Sequence, residues 1–270
     1  MSVNEIELTD TEFTLIQKLV FKLIGITLDE TKKSLVKNRL SKRLSFYKLA
    51  KYSDYIRLVQ FNKDEAAEMV NQITTNETYF FREQLHFDFL KRTFESAHSV
   101  KRFRIWSAAA SLGAEAYSIA MIADSVLGAS RYEIIGTDIN TEVLKVAQIG
   151  CYPLPWVEKI PESFKQLYCL KGKNEHEKKF LIDPKLQQKL RFSQANLLEK
   201  QSHLGIFDII FLRNVLIYFN DEVKALVIEN ILENLEVGGY LIISLTENLR
   251  NVANPKLKQV DSSIYQKVVS

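Results

Sequence analysis

The stretch IWSAAASLGAEAYSIAM, residues 105–121, decides the fold of this chain. Its apolar start, its run of small residues with Gly113 and its helical end predict a strand, a loop and a helix in that order. Small residues in such a loop let the backbone approach a ligand closely. The next apolar segment, YEIIGTDIN at 132–140, predicts a buried strand that ends in Asp138. An acid at that position suits the two hydroxyl groups of a ribose.

Strands and helices alternate around these two segments. We predict strand 103–108, helix 114–127, strand 132–138 and helix 141–149. The segment FDIIFLRNVLIYF at 207–219 predicts a further central strand that runs into a loop. This alternation is typical of α/β proteins with a doubly wound parallel sheet. Ligands of such sheets bind at the carboxyl ends of the strands, where we expect Ser111, Gly113, Asp138 and Asn214.

The N-terminal part of the chain, residues 11–72, is predicted to be helical almost throughout because its apolar residues recur at helical spacing. Gly25 is expected to end the first helix and Asp29 to cap the next. Between Thr31 and Lys51 there are eight Lys or Arg residues and no Asp or Glu. A charge run is usually a solvated surface, but its single sign also suits an acidic macromolecular partner. The docking candidates are Arg39, Lys42 and Arg43.

Between residues 153 and 195 the alternation breaks. Three prolines open this part, and two short apolar runs, LYCL and FLI, flank the charged loop GKNEHEKK. We predict a small β-subdomain near 165–193, inserted in the main sheet domain. Residues 84–100 are predicted to form a linking helix between the N-terminal helices and the sheet.

The segment TTNETYFFRE, residues 74–83, combines three aromatic residues with directed polar groups. A site that binds a charged small molecule in a water-poor cleft needs this combination. Asn76, Thr78 and Arg82 are therefore candidate binding residues. The alternative interpretation is a helix start, with Thr or Asn as the cap, Glu77 in the first turn, and Phe80 and Phe81 in the core.

Composition favours a cytoplasmic enzyme. Hydrophobic residues make up 46% of the 270 positions, and no apolar run approaches the ~20 residues of a membrane span. The start, MSVNEIELTD, lacks the apolar region of a secretory signal. The two cysteines, Cys151 and Cys169, have no metal-ligand spacing, and neither a disulfide framework nor a cysteine nucleophile is indicated. The net charge of +3 is small for a nucleic-acid-binding protein.

The chain resembles the CheR family of S-adenosylmethionine-dependent methyltransferases, which esterify glutamates on bacterial chemoreceptors. Residues 13–44 resemble the family's small helical domain more loosely than the later segments resemble its main domain. The resemblance implies a Rossmann-like class I methyltransferase domain at 101–270, preceded by an all-α domain at 1–83. The segments that carry the closer resemblance are TTNETYFFRE at 74–83, WSAAASLGAEAYSIAM at 106–121, GTDIN at 136–140, ANLLE at 195–199, FLRNVLIYF at 211–219 and GGYLIISLTENL at 238–249.

The resemblance also implies roles for individual residues. Arg82 and Tyr218 are expected at the reacting carboxylate, and Asp138 at the ribose. Glu115 is expected to contact the methionine part of the cofactor. The full set of expected cofactor contacts is Asn76, Thr78, Arg82, Glu115, Asp138, Asn196, Leu197, Asn214 and Val215. Leu197, Val215, Asn196 and Tyr218 can equally be read as core or turn residues.

Two motifs depart from the family pattern. Glu115-Ala116 stands where the family usually has Glu-Pro. The sequence SLTE at 244–247 stands where the family usually has Gly-His-Ser-Glu, so this loop lacks the family's histidine.

The function implied is transfer of a methyl group from S-adenosylmethionine to receptor glutamates, which leaves S-adenosylhomocysteine. A glutamate has a reference pKa of ~4.3 and is ionised at neutral pH, so neither a general base nor a metal is expected. The expected partner is the cytoplasmic helical domain of methyl-accepting chemotaxis receptors, bound by a monomer without nucleic acid or membrane insertion. Two alternatives remain open: a methyltransferase for RNA or a small molecule, and a binding module without turnover.

Overall fold

The computed structural model describes residues 6–98, 100–252 and 254–269, so the outermost positions of the predicted domains lie outside it. Four helices form the N-terminal part: α1 (Asp10–Ile24), α2 (Lys33–Tyr47), α3 (Tyr52–Phe61) and α4 (Lys63–Ile73). Thr9 and Glu12 form a capping box at the start of α1. Gly25 ends that helix at φ 72°, and Asp29 caps a short 3₁₀ turn before α2, as predicted.

The main sheet has seven strands in the order β6-β2-β1-β7-β8-β10-β9. They are β1 (Phe103–Ala108), β2 (Tyr132–Asp138), β6 (Leu190–Gln194), β7 (Phe207–Leu212), β8 (Leu235–Ile243), β9 (Leu257–Asp261) and β10 (Ile264–Lys267). The first five strands of the sheet order pair in parallel, while β10 is antiparallel to both of its neighbours. The predicted bounds of the first two strands are confirmed.

Helices cover both faces of this sheet, as expected for a doubly wound fold. They include α5 (Gln84–Glu95), α6 (Ala114–Leu127), α7 (Thr141–Ile149) and α10 (Asp221–Glu233). Alternate strand residues point to opposite faces: Ile105 belongs to one apolar core and Trp106 to the other. The helix predicted at 84–100 ends earlier, at Glu95, and buries Phe87, Leu90 and Phe94 in the first core.

The insert forms its own three-stranded antiparallel sheet in the order β3-β5-β4. Its strands are β3 (Cys151–Pro153), β4 (Cys169–Lys171) and β5 (Lys179–Ile182), and the short helices α8 (Glu162–Tyr168) and α9 (Pro184–Gln187) flank them. The range predicted near 165–193 needs correction at both ends. The small sheet begins at Cys151, which pairs with Leu181, whereas residues from Leu190 onward pair with β2 in the main sheet.

The strand order reverses at β1, because β2 and β6 lie on one side of it and β7 and β8 on the other. A crevice forms at the carboxyl ends of the strands at such a switch point. Two hydrogen bonds tie the N-terminal helices to the loops beside that crevice: Asn196 donates to the Leu23 carbonyl, and the Thr27 amide donates to the Tyr218 carbonyl. Of the helices in the described residues, none is long and apolar enough to cross a membrane.

Candidate active site

A cleft of about 450 Å³ lies at the carboxyl ends of β1, β2, β6 and β7 and is closed on one side by the N-terminal helices. That volume is within the range typical of small-molecule sites, ~300–1,000 Å³. The cleft brings together every expected cofactor and acceptor residue. They are Asn76, Thr78, Arg82, Glu115, Asp138, Asn196, Leu197, Asn214, Val215 and Tyr218.

Gly113 has a structural role that differs from the prediction. It does not line the cleft, and a Cβ on it would lie 2.8 Å from the Cβ of Ala147 on α7. The close approach to the cleft is made instead by the small residues Ala109, Ala110 and Ser111. Glycine at 113 is therefore required by packing of α6 against α7 and by its φ of 87°, rather than by a ligand.

Asp138 is 7% exposed at the end of β2. Its Oδ2 accepts from the Ser111 amide at 2.8 Å and its Oδ1 from the Asn140 amide at 2.9 Å. Burial raises the pKa of this carboxyl, and the backbone amides only partly oppose that shift. Two backbone donors thus fix the carboxylate of a residue that lines the cleft.

Arg213 is a buried arginine whose partners the sequence did not reveal. Its Nη1 lies 2.8 Å from Glu115 Oε2, and its Nη2 lies 3.1 Å from Glu83 Oε2. The same Nη2 donates to the backbone carbonyl of Arg82. Glu115 also accepts from the Ser107 hydroxyl at 2.7 Å. One guanidinium therefore joins the end of β7, the start of α6 and the segment 74–83.

Burial alone would raise the pKa of Glu83, but several contacts outweigh it. The Ser244 hydroxyl, the Leu245 amide and the charge of Arg213 together lower the pKa below its usual value. Glu83 is therefore ionised at neutral pH. Arg213 accordingly has two carboxylate partners and carries no uncompensated charge into the cleft.

Glu247 is a second residue that the sequence analysis did not assign. It is 9% exposed, and it accepts from the amides of Ser244, Asn214 and Ile217. Burial raises the pKa of its carboxyl despite these backbone donors. The acid at the end of the variant SLTE motif therefore holds the loop that carries Asn214 and Tyr218. The Ser244 hydroxyl accepts from the Asn214 side chain at 2.8 Å, so this loop is built without the family's histidine.

Arg82 differs from Arg213 in having no carboxylate partner among the described residues. Its Nη1 donates to the Glu77 carbonyl at 3.2 Å, and its guanidinium lies 5.6 Å from the centre of the Tyr79 ring. Tyr218 lines the same cleft, and none of the described residues accepts from its hydroxyl. Arg82 thus brings to the cleft a guanidinium without a carboxylate partner, and Tyr218 brings a hydroxyl without a partner in the described chain.

The Asn196 side chain acts as a turn former, which was the alternative interpretation. Its Nδ2 donates to the Leu23 carbonyl at 2.9 Å, and its Oδ1 accepts from the Leu198 amide at 3.1 Å. Both polar ends of the side chain are therefore engaged. Contact with a ligand at this position is left to the backbone and to the apolar Leu197.

The segment 74–83 is not a helix start. Thr74 follows α4 and Glu83 precedes α5, and the residues between them form an irregular connection with a turn at Phe80 and Phe81. Phe80 and Phe81 point away from the cleft into the insert: Phe80 packs 5.8 Å from Phe180, and Phe81 stacks 5.7 Å from Phe164, measured between ring centroids. Tyr79, 42% exposed, is the aromatic residue of this segment at the cleft.

Backbone strain is concentrated at the cleft. The structure describes eight non-glycine residues with positive φ; three of them line the cleft, and two more flank Arg82 in the chain. Each such conformation costs ~1–3 kcal/mol and persists where the surroundings fix it, as at ligand sites. The five residues are Phe81, Glu83, Ala109, Ser111 and Asn214.

The three residues predicted to dock an acidic partner, Arg39, Lys42 and Arg43, differ in their contacts and exposure. Arg43 donates to Glu65, a buried carboxylate on α4, and Arg39 donates to the carbonyls of Ile73 and Thr74. Arg39 also lines the cleft. Of the three, only Lys42 is exposed to solvent.

Two comparisons with known proteins agree with this architecture. The profile described as "CheR methyltransferase, SAM binding domain" matches residues 76–266, and the profile "CheR methyltransferase, all-alpha domain" matches residues 11–74. This chain belongs to the CheR methyltransferase family. The CheR family profiles thus cover nearly the whole chain, and the α/β domain with the cleft is the family's S-adenosylmethionine-binding domain.

Curated CheR relatives cover most of the chain as well. A "Chemotaxis protein methyltransferase" of Salmonella typhimurium is 35% identical over 254 residues, which are 92% of this chain and 88% of the relative. "Chemotaxis protein methyltransferase 2" of Pseudomonas aeruginosa is 35% identical over 269 residues, covering 97% and 95%. Among solved structures, TrmN from Thermus thermophilus is 14% identical, covers 67% of this chain and 48% of its own, and has a TM-score of 0.42, a likeness too small to add to the assignment.

Proposed function

We propose that this protein transfers a methyl group from S-adenosylmethionine to the side-chain carboxylate of glutamates on chemotaxis receptors. The products are glutamate 5-O-methyl esters and S-adenosylhomocysteine, and the role is sensory adaptation. The proposal follows from membership of the CheR family and from relatives named chemotaxis protein methyltransferase. It requires that the cleft binds the cofactor and an anionic acceptor side by side.

The observation that carries the acceptor assignment is a difference among the three arginines of the cleft. Arg39 is engaged by two backbone carbonyls. Arg213 is neutralised by Glu83 and Glu115, whereas Arg82 has no carboxylate partner in the described chain. A planar guanidinium can bind a carboxylate through two parallel hydrogen bonds. Arg82 therefore has the charge and geometry to orient an incoming glutamate.

The residues around the cleft fit the cofactor. S-adenosylmethionine supplies a methyl group on a positively charged sulfur. Asp138 would accept from ribose hydroxyls, because its carboxylate is fixed at the cleft by two backbone amides. Glu115 would hold an ammonium group near Arg213, and Leu197 and Val215 offer an apolar wall for a flat base.

The proposed reaction requires positioning more than proton transfer. A glutamate acceptor is ionised at neutral pH because its reference pKa is ~4.3, so no general base or metal is required. None of the four histidines lines the cleft. His86 is buried behind it, where burial and the charge of Arg213 lower its pKa to about 4 and keep it neutral. The chain's task is to align the acceptor with Arg82 and Tyr218 and to exclude water.

The proposed partner is the cytoplasmic helical domain of a methyl-accepting chemotaxis receptor, bound by a monomer in the cytoplasm. Lys42 is the exposed cation of α2 that remains for docking, since Arg39 and Arg43 have internal partners. An RNA substrate is less well supported because those internal partners reduce the free positive charge of this helix. We propose a helical domain at 1–83, a linking helix within 84–100 and the methyltransferase domain at 101–270.

The proposed function is tested by methyl transfer from labelled S-adenosylmethionine to a purified receptor cytoplasmic fragment. The matched control is the same fragment with its target glutamates changed to glutamine, which preserves size but removes the ionised acceptor. We expect label in the first fragment alone. Equal labelling of both fragments, or label only in RNA or small molecules, would refute the assignment.

A further inference from the structure

The cleft opens into a second pocket of about 360 Å³, which we call the mouth. The mouth shares five residues with the cleft: Asn76, Glu77, Thr78, Tyr79 and Arg82. Its sixth lining residue, Trp156, comes from the insert and does not line the cleft. The mouth is thus continuous with the catalytic cleft and is completed by the insert.

Trp156 is held in place by a stack of aromatic rings. Its ring lies 5.7 Å from that of Tyr152 at an interplanar angle of 15° and packs edge-on to Phe80. Tyr152 is buried, and its hydroxyl donates to the Leu112 carbonyl at 2.7 Å. This wall of the mouth is therefore preformed, and a ligand that binds against it does not have to order it.

Two cations flank the aromatic surface of the mouth. The guanidinium of Arg82 lies 5.6 Å from the centre of the Tyr79 ring, and the ammonium of Lys159 lies 5.8 Å from the same centre. Neither cation has an ion-pair partner in the described part of the chain. Among the residues that line the mouth, Glu77 is the one acid and Arg82 the one base, so the positive balance of this surface comes from Lys159 beside it.

We propose that the mouth is an acceptor subsite that binds the polypeptide next to the target glutamate. Trp156 and Tyr79 contact the acceptor backbone, while Lys159 binds a second acidic side chain near the one that reaches Arg82. The insert thereby selects acceptors in which another acid lies close to the methylated glutamate. This inference rests on the proposed function, because the occupant is the acceptor of that same reaction.

Tryptophan fluorescence gives a direct binding readout. The chain has two tryptophans, and Trp106 is fully buried, so an acceptor at the mouth should alter the emission of Trp156. A receptor fragment is titrated into the protein saturated with S-adenosylhomocysteine. We expect a saturable change in the wild type that is lost in Trp156→Phe, which retains an aromatic ring for stacking on Tyr152. A titration without any change in the wild type would overturn the subsite.

Charge reversal tests the role of Lys159. Lys159→Glu should raise the receptor KM about three- to tenfold and leave the affinity for S-adenosylhomocysteine unchanged. Lys185→Glu is the matched control, because Lys185 is an exposed cation of the same insert but, unlike Lys159, does not lie over the Tyr79 ring at the mouth. A second receptor fragment has the acid next to the target glutamate changed to alanine. With this fragment, wild type and Lys159→Glu should have the same KM.

The outcomes separate the two proposals. Equal KM values for Lys159→Glu and Lys185→Glu, with an active wild type, would overturn the subsite alone. If the wild type transfers no methyl group to the fragment, the proposed function fails, and the fluorescence titration still decides whether an acidic polypeptide binds at the mouth.

Discussion

Arg213 Nη1 lies 2.8 Å from Glu115 Oε2, and this ion pair joins the end of β7 to the first turn of α6. The Arg213 side chain is 1% exposed, and it also bonds Glu83 and the backbone of Arg82. Three segments that are distant in sequence are therefore positioned by one buried guanidinium. Arg82, in contrast, keeps its charge available to the cleft.

Arg213→Lys should reduce turnover at least about tenfold, because lysine keeps the charge but cannot bond three groups in a fixed plane. The matched control is Arg104→Lys, since Arg104 likewise bonds a carboxylate, Glu133, and backbone carbonyls, but outside the cleft. Both variants should lose thermal stability, and only the first should lose turnover in the folded protein. Equal turnover in the two variants would contradict the positioning role.

Asp138→Asn should weaken S-adenosylmethionine binding about ten- to a hundredfold, as expected for loss of charge-assisted hydrogen bonds of ~1.5–3 kcal/mol. Because burial raises the pKa of Asp138 above its ordinary value of 3.8, wild-type affinity should fall with acidification earlier than for an exposed aspartate. Calorimetry measures the affinity of the Asp138→Asn variant, and repeated at decreasing pH it measures the loss of affinity of the wild type. Asp124→Asn, in a carboxylate bonded to Tyr132 and Tyr168 away from the cleft, should leave the affinity unchanged.

Arg82→Lys should lower turnover more than cofactor affinity. Lysine keeps the positive charge but lacks the planar fork that aligns a carboxylate. Turnover is measured with a receptor fragment at saturation, and affinity by calorimetry with S-adenosylhomocysteine. If both fall by the same factor, Arg82 serves ground-state binding only and the acceptor assignment is wrong.

Arg43→Ala should destabilise the protein by about 3 kcal/mol, because it leaves the buried carboxylate of Glu65 without its charged partner. Burial alone would raise the pKa of Glu65, but Arg43 and Tyr55 lower it below the ordinary 4.5. This carboxylate therefore contributes stability above about pH 4.5, and the contribution is lost as pH falls through the lowered pKa. Denaturant unfolding of both proteins at pH 7 and at pH 3 measures this difference in the free energy of unfolding. An Arg43→Ala protein as stable as the wild type at pH 7 would disprove the role of the ion pair.

Lys42→Glu changes the residue next to Arg43 on α2, and it should affect receptor binding rather than stability. Lys42 is exposed, so its reversal should leave unfolding unchanged but raise the receptor KM severalfold at low salt. Added salt should bring the wild type closer to the mutant, because charges farther apart than ~10 Å are screened at 0.1 M. If the mutant has the same receptor KM as the wild type at low salt, then α2 is an ordinary solvated helix surface and does not dock the receptor.

Local signals explain why much of the fold could be predicted. The bounds of β1, α6, β2 and α7 match the prediction because apolar runs and helical spacing report directly on these elements. Strand ends at a switch point must meet, and this predicted Ser111, Asp138 and Asn214 at the cleft correctly but Gly113 wrongly. The other residues of the cleft were expected from the resemblance to the CheR family. The start of β3 could not be predicted, because a three-residue edge strand has no periodic signal of its own.

The side-chain partners could not be predicted, since they depend on long-range packing. Asn196 bonds a carbonyl 173 residues earlier, and Arg39 one 34 residues later. Nothing local distinguishes the paired Arg213 from the unpaired Arg82, because the acids that neutralise Arg213 come from two other segments. The run of Lys and Arg residues likewise overstated the free positive charge of α2. Arg43 is paired with Glu65, which lies on a different helix and cannot be recognised as its partner from the local sequence.

The central claim is tested most directly by the kind of bond that holds the transferred methyl group on the receptor. Receptor fragments are labelled by the protein with methyl-labelled S-adenosylmethionine, treated with mild alkali and mapped by mass spectrometry. A glutamate methyl ester is hydrolysed by base, so the account predicts that the label leaves as methanol and that each modified position is a glutamate. Label that survives alkali, or that maps to any other residue type, would contradict the assignment of this chain as a glutamate O-methyltransferase.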